Sequence, residues 1–269
     1  FADTLATVSP AYSQEIQTPE LGFGMEGILQ KRSTHLHGIL NGVDYSVWNP
    51  ETDPLIPVNY GPTSLSQKTQ CREYLMRMFS LRLNKRTPIL CMITRLSEQK
   101  GIDLIMEAKA VLNKLDISLL ILGTGESRYE SFFQQWSKER PDHIATALKF
   151  DESLGHRILA GSDMLLMPSR YEPCGLTQMY ALKYGTVPIV RNIGGLKNSI
   201  QEFSDKTGKG NGFKFPNKKY FLKSLQKALS CFNQTKTWEK LMRNGMGKDN
   251  SWECSAKQYS RLYQKILRS

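Results

Sequence analysis

The sequence predicts an α/β fold organised around a doubly wound parallel sheet. Three observations carry that expectation. From Pro88 onward, short apolar runs alternate with amphipathic stretches of helical period. Such alternation makes each helix a crossover between parallel strands, so that helices cover both faces of the sheet. Finally, 269 residues with 40% hydrophobic content suffice for a sizeable core. The longest apolar runs, 89–93 and 119–122, stop far short of the roughly 18 residues needed to cross a bilayer.

Before residue 50 the chain is rich in Pro, Gly, Ser and Thr and reads as a short strand over 5–8, a short helix and connecting loops. Strands are expected at 89–94, 118–122, 146–150, 164–167 and 187–190, each followed by a helical segment. Pro188 lacks an N–H for the ladder and argues for an edge or early-strand position there. Helices are expected over 218–229, 238–246 and 251–267. In the last of these, Trp252, Tyr259, Leu262, Tyr263 and Ile266 recur at helical spacing, which reads as core packing.

The net charge of +11 invites a polyanion-binding reading, but the excess is local. Residues 205–269 hold 15 Lys or Arg against 4 Asp or Glu, and the rest of the chain holds 21 of each. A solvated basic face explains this, and the aromatic and basic interleaving of a nucleic-acid module is missing, so neither nucleic acid nor membrane is expected as a partner. Five cysteines, with no Cys-x-x-Cys and no histidine at ligand spacing, point to a reducing compartment and no metal site. A start at Phe-Ala-Asp, with neither methionine nor a secretory signal, reads as a piece of a longer chain.

In open parallel sheets ligands bind beyond the carboxyl ends of the strands, which directs attention to five loops. After the first strand of the repeat, Thr94-Arg95-Leu96-Ser97-Glu98-Gln99-Lys100-Gly101 sets two cations around a helix start, an anion site or a solvated loop on spacing alone. Gly123-Thr124-Gly125-Glu126 reads as a tight turn letting the backbone approach a ligand; Arg128 stands where a dinucleotide fingerprint needs its third glycine. Phe150 sits where a strand edge could offer its ring to a base, although strand phenylalanines are usually core. Most informative is Pro168-Ser169-Arg170-Tyr171-Glu172-Pro173-Cys174-Gly175-Leu176-Thr177-Gln178. A helix starting near Leu176 would present the N–H groups of Gly175, Leu176 and Thr177 to a phosphate, and Glu172 beside it suits neutral hydroxyls or developing positive charge. That combination suggests a sugar attached to a diphosphate. Cys174 has no histidine nearby to activate it, and His156 reads as a structural histidine.

The string from Tyr171 to Gln178, continued by Leu182-Lys183-Tyr184-Gly185-Thr186, resembles the signature of bacterial glycogen synthases and plant starch synthases. Arg95-Leu96 with Gln99-Lys100-Gly101, the run from Gly38 to Asp44, and Trp48-Asn49-Pro50 resemble it too. The resemblance implies the Rossmann-like carboxy-terminal domain of a GT-B glycosyltransferase. It divides the chain into a remnant of the amino-terminal domain (1–36), a nucleotide-sugar-binding domain (37–250) and a crossing helix (251–269), whose aromatic face the resemblance, unlike the spacing, would leave exposed. The implied enzyme retains configuration, moving glucose from ADP-glucose to the non-reducing end of an α-1,4-glucan, with no cofactor and no metal. Arg95, Lys100 and Glu172 would then be catalytic: the two cations take the diphosphate and Glu172 the glucose. Thr94, Gly123, Gly125, Phe150, Gly175, Leu176 and Thr177 would bind the nucleotide, with the Phe150 ring on adenine. Related retaining transferases carry a ribose-binding glutamate eight positions after the first; here that position is Tyr180, as in the synthases. The resemblance places acceptor binding in the missing amino-terminal domain, so the chain alone should bind nucleotide and transfer poorly. Bacterial cytoplasm, or a plastid, is the expected location. The alternative from another class is a non-catalytic nucleotide- or glucan-binding module.

Overall fold

A computed structural model describes residues 2–84 and 86–268. Near the start, β1 (Leu5–Thr7) pairs in parallel with β2 (Leu36–Gly38), and between them lie α1 (Pro10–Glu15), α2 (Pro19–Gly22) and α3 (Glu26–Lys31). Ser9 begins α1 by accepting a hydrogen bond from the Tyr12 N–H, with Pro10 at the first helical position. After α4 (Lys68–Met78) the apolar runs become the strands of one parallel sheet. These are β3 (Ile89–Ile93), β4 (Ser118–Leu122), β5 (Ile144–Ala147), β6 (Met164–Met167), β7 (Val187–Arg191) and β8 (Phe213–Phe215).

The intervening helices are α5 (Ile102–Leu112), α6 (Ser127–Glu139), α7 (Glu152–Gly161), α8 (Thr177–Lys183) and α9 (Gly194–Ser199). The chain closes with α10 (Phe221–Phe232), α11 (Thr235–Met246) and α12 (Trp252–Ile266). Strand order is β5-β4-β3-β6-β7-β8. The chain therefore winds outward from β3 to β5, returns, and winds the other way from β6 to β8; the doubly wound, Rossmann-like expectation is met. Every residue of β4 is buried, because helices cover both faces and no side of the strand meets water. The reversal between β3 and β6 opens a crevice at their carboxyl ends.

Four expectations need correction. The third strand of the repeat runs over Ile144–Ala147, not 146–150. Its last partner is Leu122, and beyond that pair the Gly123 N–H closes onto the Ala147 carbonyl at 3.1 Å, ending the ladder and leaving Phe150 in a loop. Pro188 is in an interior strand: β7 lies between β6 and β8. It is tolerated because pairing to β8 starts only at Ile189 opposite Phe213, so no donor is needed on that side at residue 188. The helix expected over 218–229 is a 3-10 turn at Lys218–Tyr220 followed by α10, the Asn217 side chain accepting from the Lys219 N–H at the entry. Finally, the aromatic stripe of α12 is not core. Leu262 is buried, whereas Trp252 and Tyr263 are exposed.

A buried lysine ties α4 to the ends of α7 and α8. Lys68, at the start of α4, lies within hydrogen-bond distance of the Leu159, Ala160 and Tyr184 carbonyls at 3.1, 2.8 and 3.1 Å, and of Thr186 Oγ1 at 3.0 Å. Those carbonyls end α7 and α8, where helix dipoles favour a cation. Burial pulls the ammonium down from 10.5 to about 8. Lys68→Met removes the cation from these carbonyls, of which Leu159 keeps the Thr186 hydroxyl and Tyr184 the Tyr60 hydroxyl at 2.8 Å, and is expected to destabilise the fold by about 2 kcal/mol at neutral pH. Below pH 8 the ammonium is charged in both states and its burial opposes folding in full. Between pH 8 and 10.5 the folded chain releases the proton while the unfolded chain keeps it, so stability rises with pH. The advantage of the parent over Lys68→Met should therefore grow by roughly 1.4 kcal/mol per pH unit in that window. Denaturant melts of both proteins at pH 7.5 and 9.5 measure it, and a constant difference would refute the shift.

Candidate active site

The loops after β3 and β6 meet at the crevice and are stitched together. The Arg170 N–H donates to the Gln99 carbonyl at 2.7 Å, and the Arg170 guanidinium bonds Asp103 at 2.6 Å. This lock brings two of the expected residues into contact: Lys100 Nζ lies 2.6 Å from Glu172 Oε2. Glu172 is 5% exposed and also accepts from Ser169 Oγ at 2.9 Å. Arg95, in contrast, is exposed, and among the described residues its guanidinium bonds the Gln99 side chain alone, at 3.3 Å. Of the two cations in this loop, one is balanced by a carboxylate and the other faces the cleft uncompensated.

The cleft has a volume of about 390 Å³. Its wall includes Thr94, Arg95, Gly123, Phe150 and Thr177. Lys100, Glu172, Gly125, Gly175 and Leu176 do not line it; they sit on the same loops beside it. Gly123 has φ 151°, and a Cβ there would lie 1.8 Å from the Thr94 carbonyl oxygen. The glycine is thus demanded by the chain's own loop-on-loop packing, as at Gly125 against the Leu96 carbonyl, whatever a ligand requires. Phe150 is 89% exposed at the rim, a ring with its faces open to solvent. The N–H groups of Leu176 and Thr177 at the start of α8 have no partner among the described residues.

Sequence reasoning about the loops missed the other side of the cleft. Trp48 lines it and is stacked between Tyr180 (centroids 4.1 Å apart) and His156 (3.7 Å). His156 is buried, its Nδ1 lying 2.7 Å from Asp53 Oδ2 and 3.1 Å from the Tyr184 hydroxyl, which gives it a structural place behind Trp48. Cys174 is buried too, and burial pushes its thiol up, away from nucleophilic ionisation. At the head of α7, Asp151 accepts from the Leu154 N–H at 2.9 Å and pairs with Lys149 at 2.8 Å. Glu152, next to it, lines the cleft with no hydrogen-bond or ion-pair partner for its side chain among the described residues. Apart from the Trp48-Asn49-Pro50 string, nothing local marks these residues, since they converge only through the fold. No group of three or more His, Cys, Asp or Glu among the described residues is placed to hold a metal ion, and no helix among them is long and apolar enough to cross a membrane.

Comparison with known proteins gives a consistent picture. Residues 77–245 match the family described as "Glycosyl transferases group 1", and residues 1–31 match "Starch synthase catalytic domain". A glycogen synthase of Anaeromyxobacter dehalogenans is 44% identical over 268 residues, covering 99% of this chain and 56% of the relative. One of Pseudothermotoga lettingae is 46% identical over 271 residues, covering 100% and 56%. The chain thus spans a little over half the length of the curated relatives it matches. Among solved structures, the catalytic domain of Starch Synthase IV from Arabidopsis thaliana, bound to ADP and acarbose, superposes with a TM-score of 0.93 at 35% identity. That match covers all of this chain and 57% of the other. The fold is α/β, with GT-B glycosyltransferases as its structural neighbours. With a family match spanning more than half of its residues and synthase relatives aligned from end to end, the chain belongs to the group 1 glycosyl transferases.

Proposed function

We propose that this chain is the donor-binding half of a retaining glucosyltransferase that moves glucose from ADP-glucose to the non-reducing end of an α-1,4-glucan. The observation that carries the reading is the cleft at the β3/β6 reversal, with an uncompensated Arg95, the open N–H groups at the start of α8, and the Lys100–Glu172 pair beside it. The Arabidopsis structure with ADP and acarbose supports a nucleotide donor and a glucan acceptor.

As ADP departs, negative charge builds on its phosphate while the sugar becomes oxocarbenium-like. Arg95 and Lys100 take up the phosphate charge, and Leu176 and Thr177 donate N–H groups to it. These fixed positive groups fill the part a metal would otherwise play. Glu172, held by Lys100 and Ser169, accepts from the glucose hydroxyls. Thr94, Gly123, Gly125 and Gly175 shape the backbone around the diphosphate. Adenine lies on Phe150, and the acceptor glucan enters from the amino-terminal domain that the longer relatives carry.

Calorimetric titration with ADP and UDP, without metal, tests the reading: ADP should bind and UDP bind more weakly. Absence of ADP binding would overturn it. Phe150→Ala should weaken ADP by about tenfold, the scale of one base stack. Because the ring is almost fully exposed, the melting temperature should not move. Unchanged affinity would remove Phe150 from the site.

A further inference from the structure

The nucleotide reading leaves open which group recognises the sugar between base and diphosphate, and the structure narrows the choice. A ribose offers two neighbouring hydroxyls, and an ionised carboxylate, an acceptor with two oxygens, is the side chain that takes both. The carboxylates near the cleft are mostly committed. Glu172 is held by Lys100 and Ser169. Glu126, after β4, where dinucleotide-binding sheets carry their ribose acid, is held by the Glu98 N–H at 3.0 Å and by Arg128 at 2.9 Å. Asp151 caps α7 and pairs with Lys149. Among the described residues lining the cleft, Glu152 is the carboxylate with neither a hydrogen bond nor an ion pair.

Its position suits the task. Glu152 follows Phe150 by two residues, which sets it beside the base platform. It is also close enough to Tyr180 that its charge helps burial to raise that phenol. Tyr180 is three residues, one helical turn, from Thr177, where α8 offers its free N–H groups. Glu152 thus shares one cleft wall with Phe150, Tyr180 and Thr177. A carboxylate there would repel a phosphate and accept from hydroxyls.

We infer that Glu152 binds the ribose hydroxyls of the donor nucleotide and is the residue that selects ribonucleotides over deoxynucleotides at this cleft. The inference rests on the nucleotide reading above, and one experiment separates the two. The 269-residue chain, Glu152→Ala and Glu152→Gln are each titrated calorimetrically with ADP and with 2′,3′-dideoxy-ADP. The unsubstituted chain should prefer ADP by about tenfold to a hundredfold, the range for charge-assisted hydrogen bonds. Glu152→Ala should bind both ligands alike, at the dideoxy level, and Glu152→Gln should recover part of the preference. Since Glu152 is exposed, all three proteins should melt together. Discrimination that persists in Glu152→Ala, or none in the unsubstituted chain, overturns the inference while ADP binding itself stands. If the unsubstituted chain binds neither ligand, the nucleotide reading fails and this inference falls with it.

Discussion

Lys100→Ala is expected to weaken ADP binding by about a hundredfold, the loss of a charge-assisted contact to phosphate. It should also destabilise the fold by about 3 kcal/mol, because it breaks a largely buried ion pair. The two losses have different origins. Glu172 is 5% exposed and 2.6 Å from Lys100, so removing the cation strands a carboxylate that water cannot easily reach. The lysine side chain keeps 15% exposure, which holds the penalty near the lower end for buried pairs. A double substitution, Lys100→Met with Glu172→Gln, removes both charges and should regain most of the stability while leaving ADP binding weak. Thermal melts and titrations of the single and double variants measure both quantities. If the double variant recovered ADP affinity as well, Lys100 would be a structural partner of Glu172 with no hold on the nucleotide.

Gly195→Ala should abolish glucose transfer in a chain extended to the length of the relatives, lowering it by at least about a hundredfold. A Cβ at Gly195 would stand 1.9 Å from the Cys174 carbonyl oxygen and 2.4 Å from the Cys174 carbonyl carbon, both backbone atoms that cannot swing aside. The Gly195 N–H also bonds the Glu172 carbonyl at 2.9 Å, so the same displacement moves Glu172, the residue proposed above to take the sugar. The loop after β7 is thus the floor on which the 172–175 segment rests. Overpacking of this kind costs about 3 kcal/mol of stability. Gly27→Ala is the control: a Cβ there meets nothing within 4 Å, and at the second position of α3 the change should be neutral or slightly stabilising. Equal activity of the two variants would show that the 172–175 segment tolerates displacement.

Strand identity was legible wherever burial on both faces produced a continuous apolar run, as at Ile89–Ile93 and Ser118–Leu122. β8 escaped notice because Phe213-Lys214-Phe215 is too short to stand out from a loop, and α12 misled because helical spacing records which residues share a face, not what covers that face. The loops of the candidate site were legible for a related reason: Arg95, Lys100 and Glu172 each follow a readable strand closely. Trp48 and Glu152 were not. Trp48 reaches the cleft from an irregular segment remote in sequence, and Glu152 matters because its neighbours Asp151 and Lys149 satisfy each other, a pairing no spacing rule reveals.

The Tyr180–Trp48–His156 stack has a practical consequence. Of the four tryptophans in the chain, Trp48 lines the cleft, while Trp136 and Trp238 are enclosed in the core and Trp252 lies on α12. An indole clamped between a phenol and an imidazole has an emission governed by how tightly those rings hold it, and anything that enters beside it disturbs that hold. The protein thereby contains its own optical gauge: with the other three tryptophans replaced by phenylalanine, the intrinsic fluorescence of a single residue would follow occupancy of the cleft in real time, without a label.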